Sequence, residues 1–244
     1  MQSRMLKSVA MVVLSCCSIP AMAASQGAAP QPIGRVTAAF GMARADNAAG
    51  ARSLDTQSLI NNDERIITDG GGITVLLASR VVVKIDVHTA MSIFEGSEQT
   101  TITVEYGTVH VYVGQRPAQM GPVCIQDPNG NIETTTGVLL AHYEPSIHES
   151  YYACEHLSAT AQPKNDDKPI AMTADRQSII RDGKCIKCSD LDRLTFDQYK
   201  RSLDRLGQAQ NNRGADTFRL RSRAFDMETA IAQLSAAGWI DRRT

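Results

Sequence analysis

From Val81 to His88 the chain alternates strictly. Val81, Val83, Ile85 and Val87 fall on one side, and Lys84, Asp86 and His88 on the other. The same period of two runs from Thr101 to Tyr106, with Ile102, Val104 and Tyr106 as the apolar set. After Gly107 it resumes one step out of phase in Val109, Val111 and Val113. β-Branched residues at period two spell a strand with one face toward a core, and a phase slip at a glycine spells a bulge or tight bend. His88 and His110 occupy the polar phase and are expected at the surface. Further short strands are expected at 33–40, 65–68, 73–78, 91–94, 137–143 and 150–157. Turns are expected at Asp69-Gly70-Gly71-Gly72, Glu95-Gly96-Ser97 and Asp127-Pro128-Asn129-Gly130-Asn131.

No helical period separates these segments, so no crossover helix fits between them and a parallel α/β sheet is excluded. The fold class that remains is mostly β: stacked short strands, arranged as a β-solenoid or a sandwich. The polar stretch 160–169 reads as a loop, after which 170–180 supplies two last strands. From Ser189 the period becomes helical, with Leu191, Leu194, Tyr199, Leu203 and Leu206 on one stripe. Ser189 with Asp192, or Thr195 with Gln198, is positioned to cap its start. A second helix is expected from about Asp226 to Gly238, with Trp239 packing down. The expected organisation is a leader over 1–23, an all-β domain over 24–185 and a small helical C-terminal extension over 186–244.

The leader changes how the remaining residues read. Arg4 and Lys7 precede an apolar run from Val9 to Leu14, Pro20 breaks it, and Ala21-Met22-Ala23 supplies a small-x-small cleavage site. That is the pattern of a secretory signal peptide, and the run is far shorter than the roughly 20 residues a bilayer span needs. A lipoprotein signal anchored at Cys16 is the rival. The expected address is the periplasm or the medium after cleavage near Ala23, with no transmembrane span in the mature chain. Of the 244 residues 43% are hydrophobic and 5% aromatic, which excludes a disordered polymer. The formal charge of −1 hides an asymmetry: nine basic against 17 acidic side chains over 24–175, and 14 against nine beyond. Arg213, Arg219, Arg221 and Arg223, beside Phe218 and Phe225, make a basic patch suited to an anionic partner surface or to the protein's own acidic body. Export disfavours nucleic acid.

Outside the cytosol, the even set Cys124, Cys154, Cys185 and Cys188 favours disulfides, and four cysteines allow three pairings. Cys124–Cys154 with Cys185–Cys188 is the most economical. Cys185-Ile186-Lys187-Cys188, flanked by Lys184 and a helix start, also has the electropositive setting that lowers a thiolate pKa. A thiol-redox role, or zinc held with Cys124 and Cys154, is therefore an alternative, although only one pair has ligand spacing. His142, His148 and His156, with Glu144, Glu149 and Glu155, match no metal-ligand spacing. No G-x-S-x-G elbow and no lysine-bearing phosphate loop occurs. No catalytic, cofactor or metal residue is assigned, and no enzyme is expected.

The order of the strand motifs does carry a resemblance. Ile33-Gly34-Arg35-Val36 with Gly41-Met42-Ala43-Arg44 opens the series, followed by Asp63-Glu64-Arg65-Ile66-Ile67-Thr68. Gly72-Ile73-Thr74-Val75-Leu76-Leu77 and Val81-Val82-Val83-Lys84-Ile85 follow as paired strands. Tyr106-Gly107-Thr108-Val109-His110-Val111 and Ala174-Asp175-Arg176-Gln177-Ser178-Ile179 complete it. Taken together, Ile33 to about Asp182 resembles the FecR domain of bacterial envelope proteins. Asp63 and Arg176 stand where that family carries glycines, and a leader stands where its sensors carry a cytoplasmic domain and a membrane helix. The resemblance implies a non-enzymatic periplasmic module that binds an envelope protein or a cell-wall component, with a regulatory, signalling or envelope-organising outcome. A self-assembling structural protein, and a thiol-redox or metal protein working through Cys185 and Cys188, are the alternatives.

Overall fold

The computed structural model describes residues 31–199, and these are mostly strand. Four strands are long: β1 (Pro32–Asn47), β4 (Arg65–Leu77), β7 (Thr100–Val113) and β11 (Glu149–Pro163). Ten are short: β2 (Gly50–Ser53), β3 (Leu59–Asn61), β5 (Val81–Ile85), β6 (Thr89–Glu95), β8 (Val123–Asp127), β9 (Gly130–Thr134), β10 (Gly137–Glu144), β12 (Ile170–Thr173), β13 (Arg176–Arg181) and β14 (Lys184–Asp190). A helix, α1, starts at residue 193 and is described through residue 199. None of the helices among the described residues is long and apolar enough to cross a membrane.

The expected solenoid or sandwich is not what the pairings make. All 14 strands described belong to one hydrogen-bonded sheet, and every ladder except β7–β8 is antiparallel. A solenoid stacks parallel rungs and a sandwich separates two sheets, so neither scheme fits. Instead the long strands pair with different partners along their lengths. β5 and β6 act as one interrupted strand between β4 and β7, broken at Asp86-Val87-His88. The far side of β7 pairs with β8 through Thr100–Thr103 and with β10 through Gly107–Val113. β10 and β9 both pair with β11, and β9 pairs with β8, so β7–β10–β11–β9–β8 closes into a five-strand barrel.

Closure requires β7 to bend, and the expected phase slip marks the region, although it falls two residues before Gly107. Ala90 opposes Tyr106 while Met91 opposes Val104, leaving Glu105 as the extra residue of a bulge. Gly107 itself has φ +92°, and a Cβ there would lie 2.3 Å from Thr89 Oγ1. Asp69-Gly70-Gly71-Gly72, expected as a turn, is instead the middle of β4. There β1 and β4 approach so closely that a Cβ on Gly71 would lie 2.4 Å from the Phe40 carbonyl oxygen. Gly71 and Gly107 serve close approach rather than chain reversal.

The core follows the alternation. Val36, Val75, Val83, Val111, Leu139 and Cys154 oppose one another in turn across β1, β4, β5, β7, β10 and β11, forming one buried row. Ile102 and Val104 join it, as do Val109 and Val113. At the C-terminal end the helix starts later than expected, because Lys184–Asp190 pairs with β13 as β14 and only then does the chain turn. The remaining C-terminal expectations, including Leu203, Leu206, the second helix and the basic patch Arg213, Arg219, Arg221 and Arg223, lie outside the described residues. So do the leader and Cys16.

Candidate functional site

The outer face of β7 carries Thr108, His110 and Tyr112, in alternation with the core valines. Their neighbours across the sheet are Lys84 on β5, Leu140 and His142 on β10, and Tyr151, Ala153 and Glu155 on β11. An outward-facing polar set of this kind is normally wet. Here it is not, because the chain returns over it. Phe196 packs with Leu140, Tyr151 and Ala153 into a second apolar cluster, bordered by Phe40, Ile179, Leu191 and Tyr199.

His110 is the residue this most affects. Expected at the surface, it is 0% exposed, with the Phe196 ring edge-on to it at 6.4 Å. Its imidazole is satisfied within the fold. Nε2 lies 3.1 Å from Glu155 Oε2, and Nδ1 lies 3.1 Å from the Tyr112 hydroxyl. A carboxylate only accepts, so Nε2 donates its proton to Glu155, while Nδ1 is hydrogen-bonded to the Tyr112 hydroxyl. Lys84 Nζ donates in turn to the Tyr112 oxygen at 3.4 Å. The register puts Glu155 within reach. His156 opposes Val138 and Cys154 opposes Leu139, so Glu155 is the extra residue of a bulge and sits between the two rows.

One turn further along, His142 Nδ1 lies 2.9 Å from Thr108 Oγ1, and its ring lies 4.4 Å from that of Tyr199. Burial lowers its pKa below the ordinary imidazole value, against the nearby charges of Glu144 and Glu149. Tyr199 also stacks at 4.9 Å on Tyr151, whose phenol burial pushes up.

The helix is held in place by its first turn. Asp192, not Ser189, caps it: Leu194 N–H donates to Asp192 Oδ1 at 3.1 Å and Thr195 Oγ1 donates to Oδ2 at 2.7 Å. These bonds hold the Asp192 carboxyl below its usual range. Gln177 then joins helix to sheet. Its Oε1 accepts from Tyr151 Oη at 2.9 Å and from the Asp192 N–H at 3.1 Å, and its Nε2 donates to Ser189 Oγ at 3.2 Å. Leu191 N–H donates to Asp175 O at 2.7 Å, and Arg193 pairs with the Asp175 carboxylate.

The cysteines divide by exposure. Cys185 and Cys188 form a disulfide in β14, with Cα atoms 6.9 Å apart. Cys124 and Cys154, expected as the second bridge, are free buried thiols. Alternation explains this: Val123 and Ile125 line the main core, which puts Cys124 on the opposite face, whereas Cys154 lies in that core. A disulfide cannot cross the sheet. Burial raises both thiols, Cys124 to about 11, so neither is a ready nucleophile or zinc ligand. Among the described residues no three His, Cys, Asp or Glu side chains gather as a metal site. His148 and His156 are exposed, apart from His142.

The sequence placed His110 correctly in the polar phase of its strand, but not in its burial. What it missed was the lid, and with it Glu155 and Gln177. No spacing rule links residues 45 positions apart, such as His110 and Glu155.

No known protein family matches the sequence, and no curated protein matches it. Two crystal structures, at 2.50 and 1.65 Å resolution, of a candidate anti-sigma factor from Parabacteroides distasonis align with 54% of this chain and 62% of theirs. The identity is 14% and the TM-score 0.46 in both cases. The chain thus spans less than two thirds of the length of those structures.

Proposed function

We propose that this protein is an exported, non-enzymatic module that binds a protein partner in the periplasm and serves regulation or signalling at the cell envelope. The observation that carries the reading is the cross-strand row of Val36, Val75, Val83 and Val111. Each of these residues belongs to a different motif of the FecR resemblance. Motifs scattered over 76 positions of sequence thus meet in consecutive positions of one sheet. The row supports one continuous β module over the span of the resemblance. The function follows from the resemblance: a β module of the envelope whose output is a contact, not a reaction.

Crosslinking in cells of the native organism, followed by mass spectrometry of the purified adducts, tests it. The expected result is a mature chain beginning at Ala24, joined to one recurrent envelope protein. Adducts that are whole multiples of the chain's own mass would overturn the reading in favour of self-assembly. Recovery of the chain from cytosol with residues 1–23 still attached would overturn export.

A further inference from the structure

β14 ends the described sheet. Among the described residues it pairs with β13 and with no other strand, which leaves its outer backbone edge open. In a regular strand, residues three apart point to opposite faces. Cys185 and Cys188 nevertheless share a face. Ile179 opposes Lys187 and Ile180 opposes Cys185, so Ile186 is an extra, bulged residue between them. Cys185 therefore lies against Ile180 and Cys188 against Ser178, two positions on the buried side of β13. The disulfide and the bulge depend on each other: without the bulge the sulfurs cannot meet, and with the bond in place β14 cannot straighten.

We propose that Cys185–Cys188 is a thiol–disulfide exchange site for a dithiol reductant, and that reduction releases α1 from the sheet. Access supports the exchange. Ile186 is 52% exposed, Cys188 is exposed, and Lys184 and Lys187 flank the pair with positive charge. The attacking thiolate bonds to Cys188 Sγ, the Cys185–Cys188 bond breaks, and Cys185 leaves as a thiolate. The second thiol of the reductant then displaces Cys188 from the mixed disulfide. Two electrons and two protons pass to the protein, and the reductant leaves as its disulfide. The two buried thiols take no part.

The coupling to α1 runs through a short, continuous set of contacts. One residue beyond Cys188, Ser189 accepts from Gln177; Asp190 pairs with Arg176 at 2.9 Å; Leu191 and Asp192 bond to Asp175 and Gln177. Asp192 is the cap of α1, and Phe196 and Tyr199 cover His110 and His142. A β14 free to lose its bulge shifts by one residue against β13. Such a slip reverses the face of every side chain beyond it, Ser189 included.

The test uses the full chain. Incubation in dithiothreitol without denaturant, then alkylation and peptide mass mapping, is expected to label Cys185 and Cys188 while Cys124 and Cys154 stay unlabelled until unfolding. Hydrogen exchange on the same samples is expected to show protection of residues 191–199 falling about tenfold or more on reduction, with β7 and β10 unchanged. The double variant Cys185→Ser/Cys188→Ser is expected to exchange like the reduced wild type without reductant. A disulfide that resists reduction until the protein unfolds would overturn the proposal. So would clean reduction that leaves exchange of 191–199 unaltered, whether or not the double variant folds.

Discussion

Truncating Phe196 to alanine separates the lid from the barrel. Phe196 is 1% exposed and fills the second cluster against Leu140, Tyr151 and Ala153, but it has no place in the main core that runs from β1 to β13. Removing a buried Phe side chain costs about 3–5 kcal/mol where the surroundings cannot relax. One wall of this cavity is α1 itself, which can settle, so the lower end, about 3 kcal/mol, is the expected loss. It falls on docking of α1 rather than on the barrel. At about 1.4 kcal/mol per decade, the undocked population rises about 100-fold. Native-state hydrogen exchange of residues 191–199 reads this directly, with the amides of Val109–Val113 as internal reference. Urea unfolding followed by far-ultraviolet circular dichroism should keep its main midpoint within what about 0.5 kcal/mol would shift. A full 3 kcal/mol loss in that main transition would refute the reasoning, because α1 would then belong to the cooperative core. Unchanged exchange in the variant would refute it equally.

Three other substitutions test how the sheet is held. Asn129, buried between two turns, donates to His148 O at 2.8 Å and Ser150 Oγ at 3.0 Å and accepts from Gly183 N at 3.2 Å. Asn129→Ala strands these partners and should cost about 3 kcal/mol in urea unfolding with an unchanged slope; a loss under 1 kcal/mol would contradict this. Burial by itself would raise Glu64, but bonds from Arg52, the Asn61 N–H and side chain, and Asn47 hold its carboxyl below the ordinary range. A lowered folded pKa contributes stability that is present above the unfolded value near 4.5 and disappears as pH falls through the folded one. Glu64→Gln should therefore be destabilised by about 1–3 kcal/mol at pH 7, and its gap from wild type should narrow as pH drops below about 4.5; a gap independent of pH would count against the network. Gly107→Ala places a Cβ 2.3 Å from Thr89 Oγ1 and 2.6 Å from the His88 carbonyl at φ +92°. About 3 kcal/mol or more should be lost, and a thermal midpoint equal to wild type would show that β7 does not need this bend.

What was legible in the sequence was whatever a period of two encodes. Val81, Val83 and Ile85 are core, and so are Val109, Val111 and Val113; the phase slip is a real bulge, but it falls at Glu105, two residues before Gly107, so Tyr106 leaves the apolar set. The same pattern does not encode which strands meet. Strand β7 changes partner halfway along, and nothing in Thr100–Val113 announces that its first four residues pair in parallel with β8. β8 and β9 are short, with Cys124 and Gln126 alternating against Val123 and Ile125, too few positions for a period to declare itself. The glycines of 69–72 misled for a different reason. Glycine is required both where a chain reverses and where two backbones touch, and only the partner, here Phe40 to Met42, decides between them.

His110 and the cysteines expose one shared assumption. Polar residues at alternate positions are read as wet because a sheet is taken to have one covered face. Along β7 the barrel covers one side and α1 covers part of the other, so Thr108 and His110 obey the alternation and are buried all the same. Cysteine pairing fails on the same point. An even count in an oxidising compartment limits the arithmetic, but faces decide the bonds. Cys124 and Cys154, with matching burial, lie on opposite sides of a sheet and stay reduced. Cys185 and Cys188, three apart on a strand, have the wrong parity until one bulged residue, Ile186, corrects it. A helix would have given that spacing a shared face with no correction, which is why the motif sat so naturally beside an expected helix start. That the bond exists on a bulged strand at the edge of the described sheet therefore ties the redox state of these two sulfurs to the register of β14.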